Sequence, residues 1–263
     1  MHTTLFTAPT IRAACAAFAL ALSASASARS LYVLTATNGL TTVDDATPGS
    51  PATVLPVGGL SAGDALVAID VRPQNNRLYG LGYNASTSVV QLYLIENRAG
   101  VAVATAIGPA GAFVDGVGAA LPITGPAFDI DFNPTVDRLR VITSSGQSFR
   151  MNPNNGALVD GDLGMAAGSV GGVNPDGSAN GAGTLFDAAA YTNNRANVAA
   201  TTLYVIDAAT DRLFIVNPPN AGTLTGTKPL TLSGSPLDIS AESGFDIPAG
   251  IDVATSSAAA SGL

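Results

Sequence analysis

The chain has 263 residues, 47% of them hydrophobic and only 11% charged, with a formal net charge of −8. High hydrophobicity excludes an extended disordered chain, and scattered arginines with a lone lysine, Lys228, exclude a nucleic-acid surface. With one His (His2), one Cys (Cys15) and no Trp, there is no Ser-His-Asp or Cys-His nucleophile arrangement, no disulfide, and no imidazole- or thiolate-held metal.

The first segment reads as a leader. Arg12 precedes an apolar run from Ala13 to Leu22, and small residues follow to Ala26-Ser27-Ala28. That is the layout of a secretory signal peptide, residues 1–28, cut after Ala28. The run is well short of the roughly 20 residues that span a bilayer, so no membrane span is expected. Cleavage removes His2 and Cys15 and leaves residues 29–263 as a periplasmic or extracellular protein, expected to be a monomer.

Beyond the leader an internal repeat organises the chain. Ile69-Asp70-Val71-Arg72-Pro73 followed by Arg77-Leu78-Tyr79 recurs as Ile130-Asp131-Phe132-Asn133-Pro134 followed by Arg138-Leu139-Arg140. Related apolar strands stand at Leu31-Tyr32-Val33-Leu34 and Leu203-Tyr204-Val205-Ile206. Each is followed by a strand that ends in a turn signal and then Gly: Val43-Asp44 to Gly49, Ile95-Glu96 to Gly100, Met151-Asn152 to Gly156, Val216-Asn217 to Gly222. Return strands are expected over 53–57, 101–107, 157–163 and 228–232. Phe-Asp pairs at Phe128-Asp129, Phe186-Asp187 and Phe245-Asp246 open the units.

Four short strands per unit predict an all-β fold: a β-propeller-like ring of about four four-stranded blades. The chain begins with a second strand and ends with a Phe-Asp strand, so the N- and C-terminal strands are expected to complete one blade. The blades are 31–60 plus 244–248, 66–108, 127–164 and 185–232. They form one domain over 29–250, with 251–263 as a small, polar C-terminal tail. A β-sandwich is the alternative, but it does not predict a split repeat.

Four strings carry a family likeness: Ile-Asp-Phe-Asn-Pro-Thr-Val-Asp-Arg-Leu-Arg-Val (130–141), Ala-Ala-Tyr-Thr-Asn-Asn (189–194), Asn-Pro-Pro-Asn-Ala-Gly-Thr-Leu (217–224) and Gly-Phe-Asp-Ile (244–247). They resemble the bacterial secreted family catalogued as domain of unknown function 4394. The resemblance implies export and a propeller-like repeat fold. It implies no activity and no catalytic residues.

Without His or Cys, a bound metal would have to be a hard, oxygen-ligated ion. Asp176, Ser178, Asn180, Thr184 and Asp187 fall at positions 1, 3, 5, 9 and 12 of the calcium-loop template, with Gly181 at position 6. They are the candidate metal ligands, for calcium, although position 12 is Asp rather than Glu and no flanking helices are predicted. No cofactor is required. The strand acids Asp70, Asp129, Asp131, Asp187 and Asp246 have two readings. They could bind a cation or act as an acid–base pair on a sugar bond, or each could accept backbone amides of an adjoining blade. Tyr79, Tyr93 and Tyr204 read as packing residues, and the Asn-Pro pairs at 133, 152 and 217 as turns. Two functions remain: a binding or scaffold module for an extracytoplasmic ligand or protein, or a carboxylate-dependent glycan hydrolase or lyase, for which the absence of Trp platforms is unfavourable.

Overall fold

A computed structural model describes residues 29–115, 117–161, 175–177 and 185–263; the leader at 1–28 lies outside them. The described residues are all-β, apart from one 3₁₀ turn at Pro219–Ala221. No helix among them is long and apolar enough to cross a membrane.

Four antiparallel meanders follow one another. The first is β1 (Ser30–Leu34), β2 (Gly39–Asp44) and β3 (Leu55–Gly58); the second is β4 (Ala65–Arg72), β5 (Arg77–Asn84), β6 (Val89–Arg98) and β7 (Val101–Gly111). After a small ribbon, β8 (Phe113–Val114) and β9 (Ala120–Leu121), comes the third: β10 (Phe128–Asn133), β11 (Arg138–Thr143), β12 (Ser148–Met151) and β13 (Leu158–Val159). The fourth is β14 (Ala188–Tyr191), β15 (Leu203–Asp207), β16 (Arg212–Val216) and β17 (Leu224–Pro229), and a ribbon of β18 (Thr231–Leu232) and β19 (Ser235–Pro236) closes the series.

The repeat has a local cause. In the second and third meanders the first hairpin, and in the fourth the second, turns on an Asn or Asp with φ near +50°, immediately before an Arg: Asn76-Arg77, Asp137-Arg138 and Asp211-Arg212. Short polar side chains enter this left-handed region at the least cost after Gly. In the second and third meanders that residue donates its N–H back to the strand, to the carbonyls of Arg72 and Asn133 respectively.

The structure departs from the expected separate blades at two places. The outer strands of the first two meanders pair in parallel, Val57 opposite Ala102 and Gly58 opposite Val103, which makes one seven-stranded sheet in the order β1-β2-β3-β7-β6-β5-β4. This sheet curls until its edges β1 and β4 meet, so it is nearly closed and barrel-like. Pairing two edges satisfies backbone groups that separate blades would leave to water. The second departure is at 244–248, where no ladder forms. Asp246 accepts the N–H of Ile247 on its own carboxylate, and Pro248 has no N–H to give.

Packing proceeds in layers. Leu40, Leu66, Leu78, Tyr93 and Ile95 fill the interior of the curled sheet. Its other face, with Leu81 and Leu92, packs on Phe132, Leu139 and Phe149 of the third meander. The third meander's opposite face meets the fourth through Ile142, Phe186 and Val205. The far face of the fourth, with Ala188, Tyr204 and Ile206, is covered by Ile239, Ile247, Val253 and Ala260.

Thus residues 251–263, small and polar in sequence, dock on the fourth meander. Asn193 receives the Val253 N–H and donates to the Val253 carbonyl (2.8 and 3.0 Å), and Tyr204 Oη accepts the N–H of Ala260 (2.8 Å). Thr202 donates its hydroxyl to the Ala258 carbonyl at 2.7 Å.

Candidate functional site

The inner-strand aspartates stitch neighbouring meanders. Alternation along a strand points Asp129 and Asp131 to one face of β10, while Ile130 and Phe132 point to the other. Asp70 on β4 accepts the N–H of Phe132 on β10 at 2.8 Å, and Asp129 on β10 accepts that of Ala189 on β14 at 2.9 Å. Asp129 also receives the Phe245 N–H, and Asp131 that of Tyr191. This is the backbone-satisfying arrangement, in which a carboxylate replaces water for an amide at a sheet boundary.

These acids crowd one another. Burial pushes the Asp129 carboxyl up to about 8. Burial, then the charge of Asp246, raises Asp70 well above the ordinary range; burial, then Asp70, does the same for Asp131. Asp246 is also raised, by the surrounding protein first, with Arg29 as the opposing cation.

The remaining candidates are scattered by the fold. Tyr79 packs edge-on to Phe132 and Tyr93 donates to Asp64 at 2.6 Å, so both act in packing. Asn133 and Asn152 hold turns by accepting N–H groups two or three residues on. Of the calcium-template residues, Ser178, Asn180 and Thr184 lie outside the described residues. Asp187 is buried and accepts the Ala208 N–H at 2.9 Å. Asp176, also buried, receives Arg140 Nη1 at 2.6 Å and a two-pronged contact from Arg150, Nε at 2.7 Å and Nη2 at 2.9 Å. A cation at Asp176 would therefore enter beside two guanidinium groups. Among the described residues, no three acidic side chains group to hold a metal.

Those arginines form the site that sequence reasoning missed. Arg138 and Arg140 alternate along β11, so they share a face, and Arg140 lies directly across from Arg150 on β12. Two like charges opposite each other are unfavourable unless something offsets them, and Asp176 does. Arg140 also gives Nη2 to Asn220 (2.6 Å), Nη1 to Ser148 (3.2 Å) and Nε to Tyr191 Oη (3.4 Å). Above this base opens a cavity of about 440 Å³, lined by the three arginines, Tyr191, Asn133 and Asn220, with Val136, Val159 and Pro219 as apolar wall. Its volume falls within the range of small-molecule clefts, and its lining is more polar than most of them. Its sequence signal was Arg-Leu-Arg in a strand, with a third Arg one hairpin later.

Asp176 carries a clear expectation. Its side chain is 0% exposed and that of Arg140 is 1%, and removing one partner of a buried pair costs about 3–5 kcal/mol. Asp176→Ala should lose stability on that scale in a urea melt. A midpoint equal to the parent protein's would contradict the assignment.

Against known proteins, the family described as "Domain of unknown function (DUF4394)" matches residues 19–262. No curated protein matches the chain.

Proposed function

We propose that this chain, which belongs to the DUF4394 family, is an exported binding module that holds a small ligand in the arginine-lined cavity. The observation that carries this reading is the cavity itself: an open, preformed space of about 440 Å³ whose polar groups come from four strands, β10, β11, β12 and β14, and one short turn. The rival glycan hydrolase or lyase needs two carboxylates free to touch one bond. Asp70, Asp129 and Asp131 are instead engaged with backbone N–H groups.

The scaffold is a propeller-like ring of four meanders. This is supported by β4, β10 and β14 lying side by side, joined by the Asp70 and Asp129 stitches, with Phe245 and Asp246 reaching the same axis. Rigid repeats of this kind hold a ligand without moving.

Export rests on the leader, and one contact supports the cleavage point. The backbone nitrogen of Arg29 lies 2.8 Å from Asp45 Oδ1. Cleavage after Ala28 would make that nitrogen a charged amino terminus beside a carboxylate. N-terminal sequencing of protein recovered outside the cytoplasm should begin at Arg29; an intact 1–28 segment on the folded protein would contradict export. For binding, a thermal-shift screen of charged and neutral metabolites should yield stabilising compounds whose effect Tyr191→Ala abolishes. Stabilisation unaffected by that change would place the ligand elsewhere.

A further inference from the structure

We propose that the ligand of this cavity is a small organic dianion, bound through its oxyanion groups by Arg138 and Arg150, with Arg140 as a positioning residue beneath them. The inference rests on the cavity being the ligand site and adds the chemical class that it takes.

The charge balance carries it. Three guanidinium groups line the space, and one carboxylate, Asp176, is paired with two of them, Arg140 and Arg150, at its base. Three positive charges therefore face one negative charge in this group, and Arg138 has no carboxylate partner among the described residues, in a protein whose formal net charge is −8. Desolvated charge of one sign is costly unless a counter-charge arrives. Local positive potential in an acidic protein therefore selects anions against the overall field.

The three arginines differ in what they have left to give. Arg140 is fully buried and divided among Asp176, Ser148, Asn220 and Tyr191, which fixes its plane. Arg150 spends Nε and Nη2 on Asp176 and is 20% exposed, so its Nη1 edge remains for a ligand. Arg138 gives Nη1 to the Asp137 carbonyl and makes no ion pair among the described residues. A guanidinium fork matches carboxylate, sulfate or phosphate by paired N–H donors. Asp176 shows that geometry, a carboxylate gripped by Nε and Nη2 of Arg150. Val136, Val159 and Pro219 give an organic body an apolar wall.

Titration calorimetry at low ionic strength tests this with four probes: glucose 6-phosphate, malonate, inorganic phosphate and neutral glucose. Glucose 6-phosphate or malonate should bind at least about tenfold more tightly than glucose, and added salt should weaken it. The two anions separate a phosphate from a dicarboxylate preference. Arg138→Gln should weaken the anion about tenfold or more without lowering the melting temperature, because no carboxylate depends on it. Arg77→Gln, the same charge change at an exposed pair with Glu96, should leave affinity unchanged. If glucose binds as tightly as glucose 6-phosphate and Arg138→Gln has no effect, the anion class is wrong while the binding site stands. If no probe binds, neutral or charged, the anion class is overturned and the binding reading loses its support as well.

Discussion

Ending the chain after Gly250 is expected to remove most of its stability. Residues 251–263 have no strand pattern beyond Ile251-Asp252-Val253, and their composition predicts a dispensable tail; the structure makes them the cover of the fourth meander. Val253 and Ala260 are buried there, with Ile251 and Leu263 packed alongside. Each large apolar side chain buried contributes roughly 1.5–3 kcal/mol. The cut also strands the Asn193 amide and the hydroxyls of Tyr204 and Thr202, all buried groups, and each unsatisfied group costs about 1–3 kcal/mol. The total exceeds about 5 kcal/mol, within a typical stability of roughly 5–15 kcal/mol. Thermal melts and gel filtration should show the truncated protein unfolded or expanded. A melting temperature within a few degrees of the full chain would show that the cover is dispensable.

Alkaline pH is expected to destabilise the protein strongly. Asp70, Asp129 and Asp131 are held above the ordinary aspartate range by burial first, and by neighbouring carboxylates as well. The groups facing them are Asp246 and one another, and the basic residue near Asp246 is Arg29. The folded state therefore binds these protons more tightly than the unfolded chain, whose aspartates titrate near 4. Their contribution is whole below about pH 4 and is lost as pH rises toward 8, the value for Asp129. The loss is of the order of several kcal/mol, and at about 2–4 °C per kcal/mol the melting temperature should fall by roughly 10 °C or more between pH 5 and pH 9. Asp129→Asn keeps an oxygen for the Ala189 N–H but carries no charge, so it should flatten the slope and gain at pH 9. A melting temperature independent of pH, or a slope unchanged in Asp129→Asn, would contradict this account of the buried strand acids.

The legible parts of the fold are those written locally. Alternation in Phe128–Asn133 and the turn residue before Arg138 suffice to place β10 and β11, and the strand acids were readable as amide acceptors because they recur at two positions of the repeat, after Phe and after Ile. Asp70, Asp129 and Asp131 reach a neighbouring meander, whereas Asp187 and Asp246 accept amides of their own segment. Pairing between β3 and β7 was not legible: Leu55–Gly58 and Val101–Gly111 read as ordinary edge strands, and their union depends on how two distant meanders approach. Residues 251–263 escaped because backbone groups and small side chains hold them, leaving no hydrophobic period. The cavity escaped for a related reason. Arg138, Arg140 and Arg150 look like solvated strand residues until the register sets Arg140 opposite Arg150 and brings Asp176, from a distant loop, between them.

The central claim is that the chemistry of this protein lies in the arginine cavity and that its buried strand acids are structural. Its most direct test is a ¹⁵N NMR titration with malonate that follows the arginine Nε–H signals and the backbone amides of Phe132 and Ala189. The account predicts saturable shifts at Arg138 and Arg150, with the two amides unmoved. Shifts at Phe132 and Ala189 with the cavity arginines silent would place binding at the buried strand acids and contradict it.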